Sequence, residues 1–202
     1  MRYQYPFHGK FRITCPYGKP GKWAAGWHIG VDIVGDDDKT VYPIVEGVVQ
    51  DINAHGKAYG QHVLLRHADG NLSLYAHLSK VNVNAGQQVR LDTPLGIMGA
   101  TGNANGAHLH LELHRQAYKY PRGYKPKAAP WLLDPTAWIE DHIKGDEDMT
   151  VQDLTVMVKG HPVIVKAANI NGSNYVLLRD VPKLVPVMEI GYNAELDLPT
   201  IQ

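Results

Sequence analysis

The stretch Ala107-His-Leu-His-Leu-Glu-Leu-His114 alternates polar and apolar residues without a break. Only an extended strand gives that pattern one apolar face, because successive side chains point to opposite sides of a sheet. Leu109, Leu111 and Leu113 then face a core, while His108, His110, Glu112 and His114 share the other side. A helix would scatter both sets around its circumference. This segment therefore argues for a sheet with one dry face and one face rich in imidazole.

The surrounding sequence agrees. From Phe11 to Leu113, short apolar runs are broken at close intervals by Gly, Asn and Asp, the signature of a mainly β, antiparallel protein. His62–His67 and Asn71–Leu78 read as a hairpin turning at Ala68-Asp-Gly70. Alternation in its second strand places Leu72, Leu74, Ala76 and Leu78 on an apolar face and Ser73, Tyr75 and His77 on a polar one. Helix signals are confined to Asp134–His142, with Asp134 as cap and Pro135 in the first helical position.

The pattern changes near residue 140. The expected division is a main domain over 1–142, a polar acidic linker over 143–150 and a small α/β domain over 151–202, with a hairpin around Gly160, a turn at Asn171-Gly172 and a short helix at Arg179–Val185. Charge divides at the same place. Residues 1–140 carry 15 Lys/Arg against 11 Asp/Glu, and residues 141–202 carry 5 against 9, so the net zero is a cancellation. It gives no support for a nucleic-acid partner. No apolar run approaches the roughly 18 residues of a membrane span. The first residues contain no apolar signal core, so the expectation is that the protein works inside the cell or that something other than a signal peptide lets it out.

Eleven His and a single Cys, Cys15, exclude a disulfide framework or a Cys-rich zinc knuckle. A metal site in this chain must use His and carboxylates. His108 and His110, about 7 Å apart along a strand, can reach one small site, whereas His114 lies about 13 Å beyond His110 and reads as an exposed strand residue. His28 and Asp32, in Trp27-His-Ile-Gly-Val-Asp-Ile33, meet only if the chain bends between them, which Gly30 permits. Two imidazoles, a carboxylate and an open position form a recurring catalytic zinc set. Spacing leaves open which of His108 and His110 would bind the metal. His55, His62 and His67 read as surface residues, and Cys15 as a small buried one. The basic, Tyr-containing stretch 115–130 reads as an exposed loop or as a cleft wall facing an anionic polymer. The run Gly96–Gly106 reads as a tight loop that aims His108.

At these residues the chain resembles the lysostaphin/LytM-type zinc metallopeptidases, which cut the peptide part of peptidoglycan. The resemblance runs from Arg12 to about Pro135. It takes in Arg12-Ile-Thr-Cys-Pro-Tyr-Gly18, His28-Ile-Gly-Val-Asp32, Tyr75-Ala-His-Leu78, Met98-Gly-Ala-Thr-Gly102 and Asn105-Gly-Ala-His-Leu-His-Leu-Glu112. It implies one zinc ion held by His28, Asp32 and His110, with His77 and His108 as the catalytic pair. A tyrosine that some members carry before the first ligand has no clear counterpart. Val158-Lys-Gly and Asn171–Val181 resemble the small domain named after the copper amine oxidase N-terminus, which implies wall attachment or self-association. Together these imply a peptidoglycan endopeptidase of the phage endolysin kind, synthesised in the cytoplasm and acting on the bacterial wall after release. The alternatives are a non-catalytic regulator of a wall amidase and a virion-associated wall hydrolase.

Overall fold

The structure is a computed structural model. It describes residues 2–122, 125, 129–147, 151–158, 161–170, 173–176, 190–193 and 198–201. The chain divides into two units, residues 1–144 and 145–202.

The first unit is built from ten strands: β1 (Phe11–Cys15), β2 (Val31–Gly35), β3 (Thr40–Val41), β4 (Gly47–Ile52), β5 (Gln61–Arg66), β6 (Leu72–Val81), β7 (Gln88–Val89), β8 (Gly96–Met98), β9 (Leu109–His114) and β10 (Leu132–Leu133). The main sheet runs β1-β2-β9-β6-β5-β4-β7, with β10 beside β9 and with β8 beside β6 and β3. Every pairing in it is antiparallel. The fold is thus mainly β, as the alternation and turn signals require. The β5–β6 hairpin turns where expected, with the Gly70 N–H donating to the His67 carbonyl and a left-handed Gly70 at φ 84°.

The core lies on the leucine side of β9. Leu109, Leu111 and Leu113 pack with Val31 and Ile33 of β2, with Tyr75 and Leu78 of β6, and with Val63 and Leu65 of β5. Burial at roughly 1.5–3 kcal/mol per large apolar side chain makes this the main source of stability. A smaller cluster of Leu64, Leu72, Leu74 and Ala76 occupies the opposite face, under Tyr59 and Tyr118.

Helix α1 spans Pro135–Glu147. Asp134 caps it, its Oδ1 accepting the Thr136 and Ala137 N–H groups at 2.9 and 3.3 Å. The helix runs five residues into the stretch expected as linker. Ile139 is buried in the core and Ile143, one turn on, packs against it. That i, i+4 apolar contact extends the helix past His142 despite the polar composition that follows.

The second unit forms a five-stranded sheet in the order β13-β12-β11-β15-β14: β11 (Val151–Val158), β12 (His161–Ile170), β13 (Ser173–Val176), β14 (Ile190–Asn193) and β15 (Leu198–Ile201). β11 and β12 pair as the expected hairpin. The turn residues Gly160, Asn171 and Gly172 and the helix expected at Arg179–Val185 lie outside the described residues. Among the described residues, no helix is long and apolar enough to cross a membrane.

Candidate active site

The register of the sheet assembles the site. Asp32 on β2 pairs with Cys15 on β1 and with His110 on β9, and His110 pairs with Ala76 on β6. These four residues form one row across four strands, on the face opposite the leucine core. His28 reaches the row from the loop before β2. Gly30 serves by absence of bulk: a Cβ there would lie 2.4 Å from the Leu111 carbonyl oxygen and 2.9 Å from the His110 ring. Any side chain would displace His110.

Three donor atoms converge. Asp32 Oδ1 lies 3.0 Å from His28 Nε2 and 2.8 Å from His110 Nδ1, and the two nitrogens are 3.1 Å apart. Ligands at about 2.0–2.1 Å around a tetrahedral zinc stand about 3.3 Å from one another, so the triangle has the size and the atom types of such a set. The electrostatics agree. Burial would push the Asp32 carboxyl up, but hydrogen bonds from His110 and His28 outweigh it and hold the group well below the usual carboxylate range. Burial would likewise lower His110, but Asp32 and Glu112 on its two sides raise it to about 9. Two carboxylates flanking one imidazole thus favour a positive charge at His110, from a proton or from a metal ion.

His77 and His108 stand beside this triangle. Their ring centroids are 4.8 Å apart, and His77 is 5.8 Å from His110. His108 Nε2 lies 3.7 Å from Asp32 Oδ1. Each of the four histidines has one ring nitrogen tied away from the centre. His28, His77 and His108 donate through Nδ1–H to the carbonyls of Pro16, Thr101 and Gly106 at 3.0, 2.8 and 2.9 Å. His110 donates through Nε2–H to Glu112 at 3.0 Å. Such bonds fix each ring's orientation, so the other nitrogen of every ring is turned toward the same space, where it can hold a proton or a metal ion. Burial lowers His77 to about 4, further depressed by His110 and His108, which keeps it neutral and able to accept a proton.

His77 arrives there against the alternation of its strand. Ser73 and Tyr75 point into the main core, not to the site: Tyr75 pairs with Leu111 and is fully buried among the leucines. Leu72, Leu74 and Ala76 lie on the site face, so the two faces expected for β6 are exchanged. Between Val63↔Tyr75 and Gln61↔Leu78 the register shifts, β6 carrying one residue more than β5. His77 occupies this bulge at φ 63°. The bulge puts Ala76 and His77 on the same face and returns Leu78 to the core.

The loop beyond β8 holds His77 in place. Thr101 accepts the His77 hydrogen through its carbonyl, accepts the Gln61 N–H at Oγ1 (2.9 Å) and donates to the Leu78 carbonyl (2.7 Å). Gly60 and Gly102, both at positive φ, let the two loops touch backbone to backbone; a Cβ on either would come within 2.4 Å of the other loop. The expectation of a tight loop aiming His108 thus extends to His77 as well.

The site opens into a cleft of about 560 Å³ walled by Trp23, Trp27, Tyr59, Asn103, Asn105 and Tyr120. Of the stretch 115–130, Tyr120 reaches the cleft wall. Tyr118 packs on the His55 and His114 rings instead, with centroids at 4.1 and 4.7 Å. Tyr17 packs edge-on against Trp27 at 5.3 Å.

Three histidines expected at the surface are buried. His62 and His67 are 1% and 3% exposed and His114 is fully enclosed. His67 bonds the Glu46 carbonyl and Ser73 Oγ, and His62 bonds the Gly60 carbonyl and accepts the His55 N–H. The polar atoms of His62 and His67 are satisfied internally, so periodicity and composition could not tell them from solvent-facing residues. Sequence reasoning also missed that Cys15 Sγ lies within 4.8 Å of donor atoms of His28 and Asp32. Burial, then Asp32, pushes that thiol up. Glu112 was assigned no role, although alternation places it on the His110 face.

Comparison with known proteins now bears on this geometry. Residues 26–121 match peptidase family M23. The matched segment contains the whole row except Cys15. The chain is 33% identical over 114 residues to the peptidoglycan DD-endopeptidase ShyA of Vibrio cholerae, a match covering 54% of this chain and 26% of that protein. It is 36% identical over 104 residues to the DD-carboxypeptidase/endopeptidase Mpg of Neisseria meningitidis, covering 50% and 24%. The chain spans about a quarter of the length of these relatives. In fold it is similar to the catalytic domain of lysostaphin from Staphylococcus simulans, with a TM-score of 0.55 and 25% identity over 64% of this chain and 92% of that one. The architecture expected from the LytM resemblance is therefore the observed one.

Proposed function

We propose that the chain is a zinc-dependent endopeptidase that hydrolyses peptide bonds of bacterial peptidoglycan. The observation that carries this reading is the common orientation of four histidines: each has one nitrogen tied back, and each turns the other toward Asp32 and one cleft. His28, Asp32 and His110 would hold the zinc, and His77 and His108 would be the catalytic pair. The named activity of ShyA supports the substrate class, and those of Mpg and lysostaphin support peptide hydrolysis.

Bound zinc would supply Lewis acidity, polarising a carbonyl and making water lose its proton near neutral pH. The chain's own residues do the rest. His77 or His108 accepts the water proton at Nε2, the nitrogen left free by the bond to the backbone carbonyl. The partner ring, 4.8 Å away, steadies the oxyanion of the tetrahedral intermediate when it carries a proton on Nε2, and the proton taken from water passes to the leaving amine. The aromatic walls hold an extended peptide and exclude bulk water.

We extend the proposal to the setting, a phage endolysin that reaches the wall after release. The second unit would attach to the wall or to another copy of the chain. Attachment to an insoluble polymer raises the effective concentration of bonds at the cleft, which supports a catalytic unit joined to a small second one.

Purified cell walls tested by turbidity decide the activity. Clearing is expected with the zinc-loaded chain, abolished by a chelator and restored by zinc. Intact walls after long incubation with stoichiometrically loaded protein would overturn the reading. Mass spectrometry of the released muropeptides then names the bond.

A further inference from the structure

An imidazole can meet a metal through either nitrogen, and the choice follows from where the other N–H is bound. Three of the four site histidines give that hydrogen to backbone carbonyls. His110 alone gives it to a side chain, Glu112. Given the metal set proposed above, on which this inference rests, we propose that Glu112 is the positioning residue that fixes His110 with Nδ1 toward the metal. Tyr59 and His114 hold Glu112 for that task.

The argument is one of donors and acceptors. Glu112 is fully buried. An ionised carboxylate only accepts hydrogen bonds, so each polar neighbour must donate to it. Three do. His110 Nε2 lies 3.0 Å and Tyr59 OH 2.7 Å from Oε1, and His114 Nε2 lies 2.7 Å from Oε2. The hydrogens are thereby assigned. With its Nε2–H held by Glu112, His110 turns Nδ1 toward Asp32 and His28, the nitrogen that can exchange its proton for a metal ion. His114 carries its proton on Nε2, so Nδ1 is bare; that nitrogen is a buried polar atom with no partner. A bare acceptor fits that position better than an N–H, which would lose a donated bond. Tyr59, having given its hydrogen to Glu112, accepts from Tyr118 OH at 3.0 Å. One direction thus runs from Tyr118 through Tyr59 to Glu112.

Glu112 lies behind His110, on the Nε2 side, so it acts through that ring and not on a substrate. The strand places it there. Residues 110, 112 and 114 follow at two-residue intervals on one face, and a carboxylate between two imidazoles reaches both. Partners of this kind orient a metal-binding imidazole and raise its basicity, and their loss weakens metal binding about 10- to 100-fold.

Zinc affinity of the full chain, measured by competition with a chromophoric chelator, tests this. Glu112→Ala is expected to bind zinc about 10- to 100-fold more weakly. Glu112→Gln, which still offers an oxygen to His110, is expected to fall between Glu112→Ala and the wild type. Tyr59→Phe is expected to weaken binding less than Glu112→Ala. A second measurement needs no variant, should Glu112→Ala fail to fold. Histidine-selective ¹⁵N correlation spectra of the zinc-loaded wild type should show His110 protonated at Nε2 and metal-bound at Nδ1. The reverse assignment, or a folded Glu112→Ala that binds zinc as tightly as the wild type, overturns the role of Glu112 and leaves the metal set standing. A folded wild type that takes up no zinc overturns the metal set itself, and the role of Glu112 with it.

Discussion

Strands β9 and β6 lie side by side, antiparallel, and together carry His110, Glu112, His114 and His77. They reach the site by opposite means. β9 obeys strict alternation, so every second residue lies on the site face and the leucines between them fill the core. β6 alternates only up to Ala76 and then bulges, turning His77 to the site at φ 63°. A non-glycine residue in that conformation costs roughly 1–2 kcal/mol. In the proposed site the regular strand supplies the metal ligand His110, which must stand in line with Asp32 on the next strand. The bulged one supplies a candidate base, which must stand beside the metal and not on it. Regular pairing keeps donors in register; a bulge re-aims one side chain without moving the rest.

The largest effects should separate these two jobs. His110→Ala is expected to lose both zinc, read by elemental analysis, and wall clearing. His77→Ala is expected to keep stoichiometric zinc and the fold while its clearing rate falls about 10²- to 10⁴-fold. Full lytic activity in His77→Ala, or full zinc in His110→Ala, would break the division.

A middle-sized effect concerns the bulge. His77→Gly and His77→Ala both lack the imidazole and differ in tolerance of positive φ. Denaturant unfolding should find the glycine variant more stable by about 1 kcal/mol. An alanine variant as stable as the glycine one would mean that the bulge is free of strain.

The smallest effect lies on the core side of β6, where Ser73 meets the buried His67 at 2.7 Å. Burial lowers the His67 pKa below its ordinary value. In the unfolded chain the group titrates near about 6.5, so as pH falls below that value the unfolded state takes the proton first. Its share of stability is present above about pH 6.5 and declines with acidification. Urea midpoints should therefore drop between pH 7.5 and 5.5, and less steeply in His67→Gln. Equal slopes in the two proteins would remove His67 as the cause.

The same two strands show how far the sequence was legible. Alternation in Ala107–His114 correctly separated Leu109, Leu111 and Leu113 from His110 and Glu112, because one face of a regular strand is a local property. The turn at Gly70 and the cap at Asp134 were legible for the same reason. The faces of β6 were read in reverse. Ser73 and Tyr75 look polar, yet Tyr75 is buried, with its hydroxyl accepting the Ile44 N–H at 2.9 Å and bonding Ser73 at 3.0 Å. A partner 31 residues away decides that, and no local pattern contains it.

By itself, then, the sequence determined a cysteine-poor, mainly β chain with a strand that offers imidazoles on one side, and it named His28, Asp32, His77, His108 and His110 as candidates. The tertiary structure decided that Asp32 and His110 pair directly, that a bulge carries His77 across, and that His62, His67 and His114 are enclosed. It also decided that Glu112 stands behind His110. Alternation follows from backbone geometry within a few residues. Register, bulges and the satisfaction of buried polar groups depend on partners from distant segments, and exist only once the sheet has closed.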